Sequence, residues 1–212
     1  GVRDSAKDGF RQKEKETATL ASGVTSPLHY RGTITKALSA ITKAFGKTPP
    51  DVAVVLGSGF GSFTDQLQGS KTIPYSKVPG FPITKVPGHP GECWMGKIGN
   101  KRVFILRGRF HYYEGHSLYI TTLPIRVAGA WGIKNLVVTN AAGGVNPSFH
   151  PPSLMVIRDH LNLLGVNPLR GPNLDNFGPR FFDMSQAYDP EFRGLAHKVA
   201  LERKVELFEG VY

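Results

Sequence analysis

The chain has 212 residues, of which 40% are hydrophobic and 20% are charged, and these proportions are typical of a globular protein. No window contains the roughly 20 apolar residues that a membrane-spanning helix needs, and the polar first residues lack the apolar region of a secretory signal. Cys93 is the single cysteine, which excludes an internal disulfide and agrees with a reducing compartment. We therefore expect a soluble, cytoplasmic protein.

The formal net charge is +10, and half of this excess lies in the N-terminal part of the chain. Residues 1–50 contain nine Lys and Arg against four Asp and Glu, whereas the remaining 162 residues contain seventeen against twelve. There is no long basic run, no RNA-recognition motif and no zinc-ligand spacing, so we expect neither a nucleic-acid partner nor a bound metal. A positive field can instead attract a small anionic substrate; a basic surface without any partner is the other explanation.

Hydrophobic spacing predicts helices at three places. Residues 1–30 are polar without periodicity and form an N-terminal extension in this interpretation, whereas apolar residues recur at helical spacing over residues 33–45. A second helical segment covers residues 120–131, where Pro124 should kink the helix or lie in its first turn. A third begins at Asp189-Pro190-Glu191, an N-cap residue followed by proline at the first helical position.

Short apolar runs between these helices are the strand candidates: DVAVVLG (51–57), WMGKI (94–98), RVFILR (102–107), NLVVTN (135–140) and LMVIRD (154–159). The runs VAVVL, VFIL and LVV do not alternate, so both faces of these strands should be covered. Strands interleaved with helices predict an α/β fold, with a mixed central β-sheet flanked by helices in a single domain over residues 31–212. In such sheets, ligands bind beyond the carboxyl ends of the strands.

A glycine-rich loop, LGSGFGSF, follows the first predicted strand. A dinucleotide fingerprint needs a third glycine at the sixth position and an acidic residue about twenty positions further on. Here the sixth position is Ser62, and no acidic residue lies between Asp65 and Glu92. The remaining hypothesis is a turn whose backbone N–H groups and Ser58 hydroxyl bind one small oxyanion such as phosphate. The alternative is a tight structural turn.

Polar and aromatic residues follow the strand at 102–107 in the segment LRGRFHYYEG. Arg109, His111 and Tyr113 are alternate residues, so they share one face if the chain stays extended, with Tyr112 directed toward the core. An arginine fork can hold phosphate through two charge-assisted hydrogen bonds. The alternative is a surface ion pair between Arg109 and Glu114, worth about 0.2–1 kcal/mol.

Further loops carry weaker signals of the same kind. VPGHPG places His89 between two Pro-Gly turns, and TNAAGGVNP contains small residues that let the backbone approach a ligand. An ordinary surface histidine and a tight turn are the alternatives. The loop over residues 167–185 has a length that is usual for functional or disordered segments. Its phenylalanines, Phe177, Phe181 and Phe182, favour packing, for example on a neighbouring subunit.

Five motifs of this sequence, taken in chain order, closely resemble those of the trimeric purine nucleoside phosphorylases. They are LGSGFG, VPGHPG, GRFHYYEG, TNAAGG and NPLRGPN…FGPRFFDMSQAYD. The resemblance runs from about Thr33 to the end of the chain. It implies a nucleoside phosphorylase-like fold, a homotrimer, and reversible phosphorolysis of purine nucleosides to free base and (deoxy)ribose 1-phosphate. No cofactor is implied, because inorganic phosphate is a co-substrate. The methylthioadenosine phosphorylases differ in GRFHYYEG and TNAAGG and are the second alternative.

The resemblance also implies roles for individual residues. His111 and Ser58 are the catalytic pair. The phosphate-binding set is Ser58, His89, Arg109, Phe110, His111 and the backbone of Ala141. Nucleoside contacts come from Tyr113 beside the ribose and from Phe177, which reaches into a neighbouring subunit's site. Supporting roles fall to Glu114, which orients His89 or His111, and to Asn140, which shapes the turn before Ala141.

The family pattern continues beyond the position of Tyr212 into a further strand and the residues that read the purine ring. We therefore expect this sequence to lack the C-terminal part of the domain and to be poorly active by itself. Three other classes remain as alternatives: a truncated, non-catalytic module that binds phosphate or nucleoside, a dinucleotide-dependent enzyme, and a basic nucleic-acid-binding protein.

Overall fold

A computed structural model of the protein describes residues 27–83 and 91–212. The chain forms two compact units. The first comprises the described residues up to Ala141 together with Pro168–Gly178, and the second comprises Ala142–Asn167 together with Pro179–Tyr212. None of the helices within the described ranges is both long and apolar enough to cross a bilayer.

The first unit contains a five-stranded mixed sheet in the order β2-β3-β4-β1-β5. Its strands are β1 (Val52–Leu56), β2 (Gln68–Pro74), β3 (Glu92–Ile98), β4 (Lys101–Arg107) and β5 (Asn135–Val138). Strand β1 pairs in parallel with β4 and β5, whereas β2, β3 and β4 pair antiparallel. The predicted α/β class with a mixed sheet is confirmed. Strand β2 was not predicted, because its largely exposed sequence QGSKTIP has no apolar pattern.

Helix α1 (Pro27–Phe45) begins earlier than its hydrophobic spacing predicts. Tyr30, which the sequence assigns to the polar extension, is only 1% exposed and belongs to the core. Its hydroxyl donates a hydrogen bond to the Tyr119 carbonyl oxygen (2.8 Å). Tyr30 lies four residues before Ile34, which is the spacing of one helix face, so the apolar pattern extends to it and the start predicted at Thr33 was too late.

Helix α2 (Leu118–Trp131) packs beside α1, and buried residues of both helices belong to the same core. The Ser117 hydroxyl caps its first turn by accepting a hydrogen bond from the Ile120 N–H. Pro124 is buried inside the helix rather than in its first turn, and the helix continues on both sides of it. The predicted position of Pro124 in the first turn of the helix is therefore wrong.

The strands differ in how well their faces are covered. Strands β1 and β4 are buried along most of their length, as their uninterrupted apolar runs predict. The same prediction is wrong for β5, where Leu136, Val137 and Val138 are 41%, 42% and 41% exposed. The reason is position, since β5 pairs only with β1 and forms an edge of the described sheet. An apolar run alone cannot distinguish a central strand from an edge strand.

The second unit contains a parallel pair of strands, β6 (Leu154–Asp159) and β7 (Leu207–Val211), and helix α3 (Pro190–Arg203). The carboxylate of Asp189 accepts hydrogen bonds from the Glu191 and Phe192 N–H groups, which confirms the predicted helix start. Phe149 and Phe208 pack with their ring centroids 4.8 Å apart. Glu209 on β7 contacts Arg193 and His197 of α3.

Candidate active site

The carboxyl ends of β1, β4 and β5 lie at one edge of the sheet, because these strands run parallel to β1. Three connecting segments therefore begin at the same edge: residues 57–63 after β1, residues 108–115 after β4, and residues 139–141 after β5. These segments contain most of the predicted phosphate-binding residues. This edge is where α/β sheets bind their ligands.

Thr139 ties the loop after β1 to the end of β5. Its hydroxyl accepts a hydrogen bond from the Gly57 N–H (2.9 Å) and donates one to the Val55 carbonyl oxygen (3.1 Å). The two loops touch so closely that a Cβ atom on Gly57 would lie 2.5 Å from the Thr139 carbonyl oxygen. Glycine is required here because the neighbouring atoms belong to the backbone. Ser58, the next residue, is exposed at the end of β1.

Arg109 joins this arrangement from the end of β4. Its Nη1 donates a hydrogen bond to the Thr139 carbonyl oxygen (3.2 Å), and the side chain is half-buried. The alternative ion pair with Glu114 is absent among the salt bridges of the described chain. We call Gly57, Arg109 and Thr139 the strand-end cluster. Its hydrogen bonds bring all three loops into contact. Asn140 and Ala141 follow Thr139 directly in the chain.

Thr139 belongs to the motif TNAAGG, and its role in the site is not evident from the sequence. The available signal was a hydroxyl residue at the first position after an apolar strand, in a loop otherwise composed of small residues. Threonine at that point can bond the neighbouring backbone, as it does here to Val55 and Gly57. The signal is weak because strand-end threonines are common.

His111 begins a tight turn that holds three of the predicted site residues. The Glu114 carboxylate accepts a hydrogen bond from the His111 N–H (3.0 Å) and contacts Nδ1 of the same imidazole. The His111 ring stacks on Tyr113, with centroids 4.7 Å apart and planes at 17°. We call residues His111 to Glu114 the His111 turn. Glu114 was expected to orient His89 or His111, and in the described residues it contacts His111.

The pKa of Glu114 lies below the ordinary carboxyl value. Partial desolvation raises this pKa. Hydrogen bonds from the His111 side chain and backbone, together with the charges of His111 and His116, lower the pKa by more than desolvation raises it. Nε2 of His116 lies 3.9 Å from the second carboxylate oxygen. Glu114 is therefore an anion at neutral pH, and it fixes the imidazole of His111 through Nδ1.

Two aromatic residues of this segment differ from their predicted positions. Tyr112 was expected to point to the core, yet it is 47% exposed, because the backbone turns after His111 instead of staying extended. The Phe110 side chain is buried, with its ring packed edge-on against Tyr75 and Phe81. A contribution of Phe110 to the phosphate site therefore stays a prediction, and with the ring buried it would come from the backbone.

The remaining predicted residues lie elsewhere. His89 lies outside the described residues. Phe177 belongs to the first unit, where its ring packs against its own chain beneath the Arg126 guanidinium, 5.2 Å from the ring centroid. Phe181 and Phe182 are 88% and 46% exposed in the described chain, so their expected packing, for example on a neighbouring subunit, stays a prediction.

Comparison with known proteins identifies the family. Residues 51–212 match the family model described as the phosphorylase superfamily. The chain belongs to the phosphorylase superfamily. The matched residues include the strand-end cluster and the His111 turn.

Named relatives within the phosphorylase superfamily are purine nucleoside phosphorylases. The chain is 48% identical over 165 residues to purine nucleoside phosphorylase 1 of Geobacillus stearothermophilus, covering 78% of this chain and 60% of the relative. It is 46% identical over 168 residues to the Bos taurus enzyme of that name, covering 77% and 58%. The chain thus spans about three fifths of the length of these relatives. The resemblance found in the sequence motifs is confirmed.

Solved structures agree with this assignment. A Schistosoma mansoni purine nucleoside phosphorylase in complex with inosine matches with a TM-score of 0.79 and 40% identity, covering 85% of this chain and 65% of that one. A purine nucleoside phosphorylase in complex with ribose-1-phosphate matches with a TM-score of 0.78 and 40% identity, covering 84% and 67%. The fold of the chain is therefore that of a nucleoside phosphorylase over most of its length.

Proposed function

We propose that this protein is a purine nucleoside phosphorylase, which converts a purine nucleoside and inorganic phosphate into the free base and (deoxy)ribose 1-phosphate. The observation that carries the proposal is the strand-end cluster. It places a cationic side chain, Arg109, against the Thr139 carbonyl oxygen of a small-residue loop, and the Thr139 hydroxyl bonds Gly57, the residue before the exposed Ser58. Membership of the phosphorylase superfamily and the names of the relatives support the same reaction.

Phosphate is the anion that fits this arrangement. Arg109 supplies a planar fork of charged donors, Ser58 a hydroxyl, and Ala141 a backbone N–H at the end of β5. His111 adds an imidazole whose Nδ1 contacts Glu114, and in the proposal its Nε2 faces phosphate. In the proposal His89 completes this set, and Phe110 contributes only its backbone. Ser58 and His111 are the residues nearest the reacting oxygen.

Phosphorolysis of a nucleoside depends on fixed charges rather than on a pair of catalytic carboxylates. The bond between C1′ and the purine nitrogen breaks with its electron pair on the base, and a phosphate oxygen forms the new bond to C1′. Overall, the base takes up the proton that the hydrogen phosphate loses. The sugar carries positive charge in the transition state, and the bound phosphate anion stabilises it. The protein contributes by holding phosphate in line with C1′.

The nucleoside side of the proposed site includes Tyr113 and Phe177. Tyr113 is 82% exposed, and its stacking on His111 would place the ring beside a ribose bound next to phosphate. Phe177 is proposed to serve a neighbouring subunit of a homotrimer, and Asn140 to shape the turn that presents Ala141. A cytoplasmic location stays a prediction from sequence.

The test is the phosphate dependence of inosine cleavage in Arg109→Ala and in Arg203→Ala, a matched change of an exposed arginine at the end of α3. We expect the phosphate concentration at half-maximal rate to rise about ten- to hundredfold in the first variant only, because a charge-assisted hydrogen bond is worth about 1.5–3 kcal/mol. Where turnover is too slow, calorimetric titration with inorganic phosphate gives the same comparison. An unchanged phosphate dependence in Arg109→Ala would contradict the proposal.

A further inference from the structure

A buried tyrosine lies behind the loop that carries Arg109. Tyr75 begins the short 3-10 turn Tyr75–Lys77 after β2 and is only 1% exposed. Its hydroxyl donates a hydrogen bond to the Gly108 carbonyl oxygen at 2.7 Å, across 33 residues of chain. This bond is the polar contact that the Tyr75 side chain makes inside an otherwise apolar core.

Gly108 is the residue immediately before Arg109, and its φ of +113° is a conformation that other residues rarely adopt. A hydrogen bond to the Gly108 carbonyl oxygen fixes the orientation of the peptide group between Gly108 and Arg109. On the other side of Arg109, the Phe110 ring packs edge-on against the Tyr75 ring, with centroids 5.3 Å apart. One side chain therefore contacts the residues that flank Arg109 on both sides.

The hydroxyl of Tyr75 is not needed to fill space. Phenylalanine would bury the same ring, and a hydroxyl in such surroundings costs free energy unless it has a partner. Burial raises the pKa of Tyr75 well above its ordinary value, so the phenol remains a neutral donor at physiological pH. A permanent donor directed at one carbonyl oxygen is suited to holding the backbone in a single conformation.

We propose that Tyr75 is a positioning residue for phosphate recognition: its hydroxyl holds the Gly108 carbonyl so that the Arg109 guanidinium meets the end of β5. The inference rests on the proposed function, since it concerns the same phosphate site. Arg109 is then held from two directions, by the Tyr75–Gly108 bond behind its backbone and by the Thr139 carbonyl oxygen at its guanidinium.

The chain offers a matched control in Tyr30. This residue is also 1% exposed, and its hydroxyl also donates to a backbone carbonyl oxygen, that of Tyr119, at 2.8 Å. The Tyr30 hydroxyl joins helices α1 and α2 instead of supporting the loop after β4. Tyr75→Phe and Tyr30→Phe therefore remove the same atom from two rings that are each 1% exposed. They differ in the carbonyl oxygen that loses its donor, and the Tyr30 hydroxyl also contacts the Thr122 hydroxyl (3.4 Å).

The experiment measures thermal denaturation, the phosphate KM, kcat, and phosphate binding by calorimetry for both variants. We expect both to lose stability to a similar extent. Only Tyr75→Phe should weaken phosphate recognition, about three- to tenfold, with kcat at saturating phosphate retained, because one neutral hydrogen bond no longer fixes the loop. Equal phosphate KM in the two variants, or a parallel loss of kcat in both, would overturn the inference.

Arg109→Ala separates this inference from the proposed function. If Arg109→Ala weakens phosphate binding and Tyr75→Phe does not, the positioning role fails while the phosphate site stands. If neither variant changes phosphate binding, the proposed function itself fails. Gly108→Ala supplies a second route, because it disturbs the same peptide by backbone strain and leaves the tyrosine intact. It should also raise the phosphate KM, and an unchanged value would count against control of Arg109 by this loop.

Discussion

The two halves of the candidate site are held together in different ways. The strand-end cluster is built from contacts between distant parts of the chain, 82 residues apart for Gly57 and Thr139 and 30 for Arg109 and Thr139. The His111 turn is local, since His111 and Glu114 are three residues apart. The cluster therefore depends on the register of β1, β4 and β5, whereas the turn depends on its own backbone and side chains.

This difference predicts how the two halves respond to change. A substitution in the strand-end cluster separates strand ends that also belong to the core, so stability and phosphate binding should fall together. A substitution in the His111 turn should alter the imidazole and its pH dependence while the sheet stays intact. Variants of matched size can therefore test whether the two halves are independent.

Gly57→Ala should have the largest effect. The added Cβ would lie 2.5 Å from the Thr139 carbonyl oxygen and 2.8 Å from the Asn140 Cα, which are backbone atoms that cannot move without displacing β5. We expect a loss of about 1–3 kcal/mol in the free energy of unfolding, measured in urea, together with weaker phosphate binding.

The matched control is Gly32→Ala in α1, where a Cβ would meet open space. It should be neutral or stabilise the helix by up to about 1 kcal/mol. Equal stability of Gly57→Ala and Gly32→Ala would show that the two loops do not need their close approach, and the comparison between the two halves of the site would lose its basis.

Thr139→Val should have an intermediate effect. The substitution keeps the shape of the side chain but leaves the Gly57 N–H without its acceptor, so we expect about 1–2 kcal/mol of destabilisation. Thr139→Ser keeps the hydroxyl and should retain most of the stability in the same urea titration. If serine is as damaging as valine, the methyl group contributes as much as the hydroxyl, and the hydrogen bonds alone do not hold the cluster together.

The sequence predicts the parts of this molecule that depend on local pattern. Four of the five strands of the main sheet follow from short apolar runs, and the start of α3 follows from the Asp189-Pro190 pair. The predicted neighbourhood of His111 and Tyr113 is confirmed by their stacking. These features need only the residues within a few positions, which is the information that spacing contains.

The features that could not be predicted depend on contacts between distant segments. Thr139 gains its role from Gly57 and Arg109, and Tyr75 from Gly108, none of which is adjacent to it in sequence. The exposure of Tyr112 follows from a turn where an extended chain was assumed. Strand β5 is apolar yet exposed because it lies at a sheet edge. In each case the sequence shows the residue but not its neighbour.

Glu114→Gln should have the smallest effect on stability and the clearest effect on pH dependence. The pKa of Glu114 is lowered in the folded protein, so the unfolded chain binds more protons than the folded one between the lowered value and the ordinary value of 4.5. The stabilising contribution of Glu114 is therefore complete above pH 4.5 and disappears as the pH falls through the lowered value.

Glutamine cannot titrate, so the variant should lose less stability than the parent between neutral pH and pH 3, as measured by urea unfolding at each pH. Glu202→Gln, which removes an exposed carboxylate on α3, is the control and should follow the parent curve. If Glu114→Gln also follows the parent curve, the contact with His111 does not change proton binding by Glu114 between the folded and unfolded chain. If Glu114→Gln instead unfolds the sheet as Gly57→Ala does, the His111 turn is not local, and the two halves of the site are one cooperative structure.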